Sequence, residues 1–152
     1  MRRSLVPLTF GLVLLTGSIW AHPSGAATPL AAGAYRTKVN AICKAGIAKI
    51  NAVKAPTVPS GFAAYLQTEG ELGARLMKQI IEVTPPKSLQ PAVMSALKLQ
   101  GQSVDEVLAL ALKVKKASDP AAVLTAATPA LEKTTAGADA AWTKAGLTGC
   151  TG

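Results

Sequence analysis

Beyond residue 30 the apolar positions recur at intervals of three and four, the spacing that gathers side chains onto one face of an α-helix. Four such stretches follow one another. In the first, over residues 34–54, Tyr35, Val39, Ile42, Cys43, Ile50 and Val53 share a broad face. The run Ala55-Pro56-Thr57-Val58-Pro59 stops it, because proline has no amide proton to continue the ladder and its ring clashes with the preceding turn. The second covers 60–83, with Ser60 as its expected cap and a stripe through Phe62, Leu66, Leu72, Leu76, Met77, Ile80 and Ile81. Thr84-Pro85-Pro86 ends it. The third, over 88–116, opens at Ser88, tolerates Pro91 in its first turn and buries Val93, Leu97, Val104, Leu108 and Ala111. The fourth, over 119–145, starts at Asp119-Pro120, a side-chain cap followed by proline at the first helical position. Its stripe is Leu124, Ala127, Leu131, Ala138 and Trp142; Gly146 ends it, with Leu147 as the apolar contact of a Schellman-type cap.

Two places could interrupt this pattern. Ser103-Val104-Asp105-Glu106 forms a capping box just after Gly101, so the third segment divides if that cap is used. Thr128-Pro129 could restart or kink the fourth. Continuous helices are the preferred reading, because four segments of comparable length with short connections suit an all-α, up-down-up-down four-helix bundle.

The first 27 residues follow a different logic. Arg2 and Arg3 precede an apolar run from Leu5 to about Trp20, and small residues follow it. That is the layout of a secretory signal peptide, with cleavage expected after Ala26 or Ala27 and a single domain over 28–152. The start also fits a twin-arginine export signal loosely. A retained anchor is the competing reading, but the apolar run is short for a span of about 20 residues and carries Pro7 and Gly11.

Export changes the charge and the chemistry. The full chain has 16 Lys+Arg against 8 Asp+Glu; losing Arg2 and Arg3 leaves 14 basic residues and a net charge of +6. The only histidine, His22, leaves with the leader. A mature domain without imidazole excludes Ser–His and Cys–His catalysis, as well as histidine-ligated metal or haem. No glycine-rich phosphate loop stands between a strand and a helix. No cofactor is expected.

Cys43 and Cys150 are an even pair in an exported chain, and an oxidising compartment favours bridging them. Redox-active pairs have close spacing and metal sites need further ligands; neither is present. The loop so closed is slightly over 100 residues, which on the chain-entropy model stabilises by up to about 4.7 kcal/mol. Geometry explains why one cysteine lies in the last few residues. In an up-down-up-down bundle the fourth helix ends beside the start of the first, and Cys43 stands about 14 Å along that first helix. The five steps from Ala145 to Cys150 reach at most about 17 Å. The tail can therefore turn at Gly146, run back along the first helix and latch to it.

The leader, Tyr35 ahead of Cys43, the Pro85-Pro86-x-x-Leu89 hinge, the Asp119-Pro120 helix start and the Gly146-Leu147-x-x-Cys150 end together resemble small, alanine-rich secreted proteins of high-GC Gram-positive bacteria. The resemblance covers most of the mature chain. It implies an exported helical domain and transfers no active-site residue.

Candidate chemistry is sparse. Glu69 and Glu71 point about 200° apart on a helix, while Glu71–Arg75 and Lys78–Glu82 have the spacing of ordinary surface pairs. An enzyme is not expected. The first helix carries Arg36, Lys38, Lys44, Lys49 and Lys54 without one acid, and Lys113, Lys115 and Lys116 crowd the end of the third. The first functional expectation is therefore a non-enzymatic secreted or envelope-associated protein acting by contact. Its partner would be a protein, or the anionic polymers or lipid head groups of the envelope, touched by Arg36, Lys38, Lys44, Lys113, Lys115 and Lys116. Nucleic acid is disfavoured by the location and by the lack of interleaved aromatics. A second expectation comes from Gly46, Gly70, Gly73 and Gly101, which lie within helical segments at a cost of about 1 kcal/mol each relative to alanine. They imply either close helix approach or a groove for a small apolar ligand, lined by Met77, Ile80, Ile81 and Met94 between the second and third helices.

Overall fold

The computed structural model describes residues 30–152. The expected leader, residues 1–27, lies outside the described residues. Four helices follow in order: α1 (Ala32–Asn51), α2 (Phe62–Ile81), α3 (Gln90–Lys116) and α4 (Pro120–Lys144). Among the described residues there is no strand, and no helix is long and apolar enough to cross a membrane.

The helix ends show which capping signals operate. Asp119 caps α4 by accepting the Ala122 amide at 3.1 Å, with Pro120 next in the chain. Ser60 does not cap α2: it sits in a single 3-10 turn, Pro59–Gly61, and Gly61 precedes the helix without a side-chain cap. Ser88 likewise falls short of α3, whose first turn is set by Leu89 and Gln90 amides donating to the Pro86 carbonyl. Both interior break signals are overridden. α3 runs through Gly101 and Ser103, and α4 continues through the exposed Pro129. Ser103 is buried against α4, its hydroxyl 3.5 Å from that of Thr135, so it is a packing position and not a helix start. At the far end of α4, Gly146 adopts φ +72°, and the Leu147 and Gly146 amides donate to Trp142 and Thr143 carbonyls at 2.9 Å. These two bonds make the expected Schellman cap, and Leu147 is fully buried.

α3 packs along both α2 and α4, and α1 packs along α2. Glycines set the closest approaches. A Cβ on Gly70 would stand 2.5 Å from Leu108 Cδ2, one on Gly73 3.0 Å from Val104 Cγ2, and one on Gly46 2.5 Å from Leu76 Cδ1. Only a residue without a side chain lets these backbones come so near. Two apolar cores result. The first joins all four helices and the tail through Tyr35, Val39, Ile80, Val93, Trp142 and Leu147. The second, around Leu66, Leu110, Ala111 and Val114, takes its other members from α2, α3 and α4. α1 takes no part in it.

The tail returns along α1 on residues one helical turn apart. Arg36 donates from Nε to the Ala145 carbonyl at 3.1 Å, Asn40 accepts the Gly149 amide on Oδ1 at 2.9 Å, and Cys43 is bridged to Cys150. The bridged Cα atoms lie 4.8 Å apart across a sequence separation of 107. Such a bond is characteristic of an oxidising, extracytoplasmic setting.

Candidate functional site

α1 and α4 hardly touch directly; at one end of their seam the tail fills the join. Beyond the tail the seam stays open and encloses a cavity of about 190 Å³. Ile47 and Ile50 of α1 form one wall, and Thr135, Asp139 and Trp142 of α4 face them. Leu76, Met77 and Ile80 of α2 and Gln100 of α3 form the floor, and the Cys43–Cys150 bridge closes the end. Each wall follows from local pattern. Cys43, Ile47 and Ile50 continue the three-and-four spacing that begins at Tyr35. On α4, Thr135, Asp139 and Trp142 recur at the same spacing but carry polar groups at two of three positions.

The polar groups lie among apolar walls. Trp142 donates from its indole Nε1 to Gln100 Oε1 at 3.2 Å, which fixes which end of the amide meets the ring. Asp139 is half-buried and, among the described residues, has neither a hydrogen bond nor an ion pair. Nothing cationic lines the cavity among the described residues. One further buried polar atom stands apart from it: the Tyr35 hydroxyl, in the first core, has no hydrogen-bond partner. Burial pushes its pKa above the ordinary 10.0.

The residues singled out from sequence distribute unevenly around this geometry. Met77 and Ile80 line the cavity, whereas Ile81 and Met94 are 61% and 56% exposed on the outside of the bundle. The more enclosed void lies at the α1–α4 seam; between α2 and α3, which close on each other at Gly70 and Gly73, there is an open surface groove that takes in Met77, Ile81 and Gly101 but not Ile80 or Met94. Arg36 is half-buried and tied to the tail, while Lys38 and Lys44 are exposed. Lys113, Lys115 and Lys116 are exposed at the last turn of α3, beside the second core. Arg36 neighbours Tyr35 in the first core, whereas the three lysines follow Val114 of the second, so the two basic groups belong to different ends of the bundle. The six do not form one patch. Glu71 pairs with Arg75 at 3.3 Å with both side chains in solvent, and Lys78–Glu82 makes no ion pair.

Trp142 was legible as core, but its neighbours Gln100, Thr135 and Asp139 carried no signal in the helical stripe, because polar residues at half-buried or exposed positions resemble a solvated face. With this geometry in place, comparison with known proteins adds no analogue: no family model matches the chain, and no similar curated protein or solved structure was found.

Proposed function

We propose that this chain is an exported, non-enzymatic binding protein that holds a small, largely apolar molecule in the cavity beside its disulfide. The observation that carries the reading is the seam itself: about 190 Å³ walled by Ile47, Ile50, Leu76, Met77 and Ile80, with a few polar groups, Asn51, Gln100, Thr135 and Asp139, around it. Ligand sites have this composition, an apolar lining with a few placed polar groups that fix orientation. An apolar cavity of about 150 Å³ takes up benzene, so this one suits a single ring or a short hydrocarbon chain.

The reading includes the up-down-up-down order of the helices. It is supported by facing pairs that run in opposite senses, Gly70 with Leu108 and Gly101 with Met77, then Ser103 with Thr135 and Gln100 with Trp142. Export is supported by the disulfide and by the leader-like first 27 residues. Attraction to envelope polyanions has less support, since the basic side chains are dispersed and Arg36 is engaged with the tail. Native mass spectrometry of the protein secreted by its own host tests the proposal. A bound species released on mild activation, at one per chain, is the expected result. A clean apo mass, together with no change in Trp142 emission across a panel of small aromatics and alkanes, overturns it.

A further inference from the structure

Resting on that reading, we infer that the ligand carries an amine, and that Asp139 is the residue that recognises it. Half-burying a carboxylate among apolar groups is unfavourable unless something offsets its lost hydration. Within the described protein no group pairs with it: Asp139 has no ion pair, no hydrogen bond and no cationic neighbour in the cavity wall. The other acids are differently placed. Asp119 caps a helix and Glu71 holds Arg75, whereas Asp139 faces the space between α1 and α4, which is open to solvent on one side.

The rest of the polar lining suits the same group. An ammonium offers three donors and no acceptor. Gln100 lines the cavity and its Oε1 accepts from the indole of Trp142; a carbonyl oxygen that takes one hydrogen bond retains a lone pair for a second. The Thr135 hydroxyl accepts as well. Asp139, Gln100 and Thr135 therefore supply acceptors beside an indole, the ring that attracts cations best. A carboxylate ligand would instead meet the Asp139 charge. The class that fits is a primary amine on a small hydrocarbon or aromatic body, with the ammonium at the α4 wall and the body against Ile47, Ile50 and Leu76.

The test compares three probes of one shape with the exported, disulfide-bonded protein: benzylamine, benzyl alcohol and benzoate, titrated against Trp142 emission at low salt. Benzylamine is expected to bind about tenfold more tightly than benzyl alcohol, a difference equal to about 1.4 kcal/mol. Benzoate is expected to bind most weakly. The amine advantage should shrink as salt is added, because the site opens to solvent on one side. Asp139→Asn should remove the advantage of benzylamine over benzyl alcohol, and an unchanged far-UV circular dichroism spectrum and urea midpoint report that the variant is folded. Equal binding of amine and alcohol, or an advantage that survives Asp139→Asn, overturns the inference and leaves the cavity reading standing. Tighter binding of benzoate does the same. No binding of any probe removes both.

Discussion

Replacing both cysteines by alanine isolates what the tail latch contributes. The bridge spans a sequence separation of 107, so its removal returns to the unfolded chain an entropy corresponding to about 4.8 kcal/mol at 25 °C. The folded state loses little else. Leu147 stays fully buried, Arg36 still donates to Ala145, and Asn40 still accepts from Gly149, so the tail keeps non-covalent anchors. A measured loss of about 3–5 kcal/mol is expected, against a total of about 5–15 kcal/mol for a domain of this size. Urea unfolding followed by far-UV circular dichroism and by Trp142 emission would read it. The slope of stability against urea should also rise, because the uncrosslinked chain unfolds to a more expanded state that exposes more surface. A variant already unfolded in buffer is the same outcome at its limit. A loss below about 1 kcal/mol with an unchanged slope would refute the reasoning, since it would mean that the unfolded chain is no more constrained with the bridge than without it.

Two glycines in helices should respond oppositely to alanine. Gly70→Ala places a Cβ 2.5 Å from Leu108 Cδ2 and 2.7 Å from its Cγ, and is expected to cost about 1–3 kcal/mol. Gly137→Ala meets nothing within 4 Å and should gain about 0.5–1 kcal/mol, both changes being read by urea unfolding. Gly146→Ala is disfavoured by the left-handed φ of +72°, which costs about 1–2 kcal/mol, and by Arg36 Nε 2.7 Å from the added carbon. Tyr35→Phe removes a buried hydroxyl that has no partner and should raise stability by about 1 kcal/mol. Burial raises the Tyr35 pKa, so the unfolded chain ionises near 10 while the folded one resists. Stability is thus complete below about pH 10 and falls as the pH rises above it, and the variant should flatten that fall in urea midpoints taken from pH 8 to 11.

How much of this was legible depended on whether a residue's neighbours along the chain decide its role. Prolines at 56, 59, 85 and 86 divided the helices correctly, since a missing amide proton acts whatever surrounds it. Asp119 and Gly146 were readable for the same reason: the groups they satisfy lie within three or four residues. Ser60 and Ser88 failed because short turns formed by the adjoining prolines and Gly61 took over the helix starts. Pro129 and the capping box at Ser103 left their helices continuous, as preferred from the sequence, since packing of α3 on α4 along their length overrides a local break. Of the cavity only Met77 and Ile80 were legible, and its place in the fold was not. Its position follows from α1 and α4 failing to meet, a relation between segments some ninety residues apart, and its polar members look like surface until the seam is seen.

That seam has a physical cause. α1 spans 20 residues, about 30 Å, as α2 does, but its buried positions Tyr35, Val39 and Cys43 all enter the first core, whereas α2 supplies Ile80 to the first and Leu66 to the second. Its later apolar positions, Ile47 and Ile50, then face Thr135 and Asp139, which are too small or too polar to fill the space between them. An unfilled volume of about 190 Å³ would cost about 4.6 kcal/mol if it were closed and dry, an upper figure because the seam opens to solvent. The bridge contributes a similar amount in the opposite sense, about 4.8 kcal/mol, at the end of that same seam. Large apolar residues at 135 and 139 would let α4 close on α1 directly and make much of the latch redundant. A covalent link beside the gap, and not a packed interface across it, holds α1 to the tail while keeping the space between α1 and α4 open.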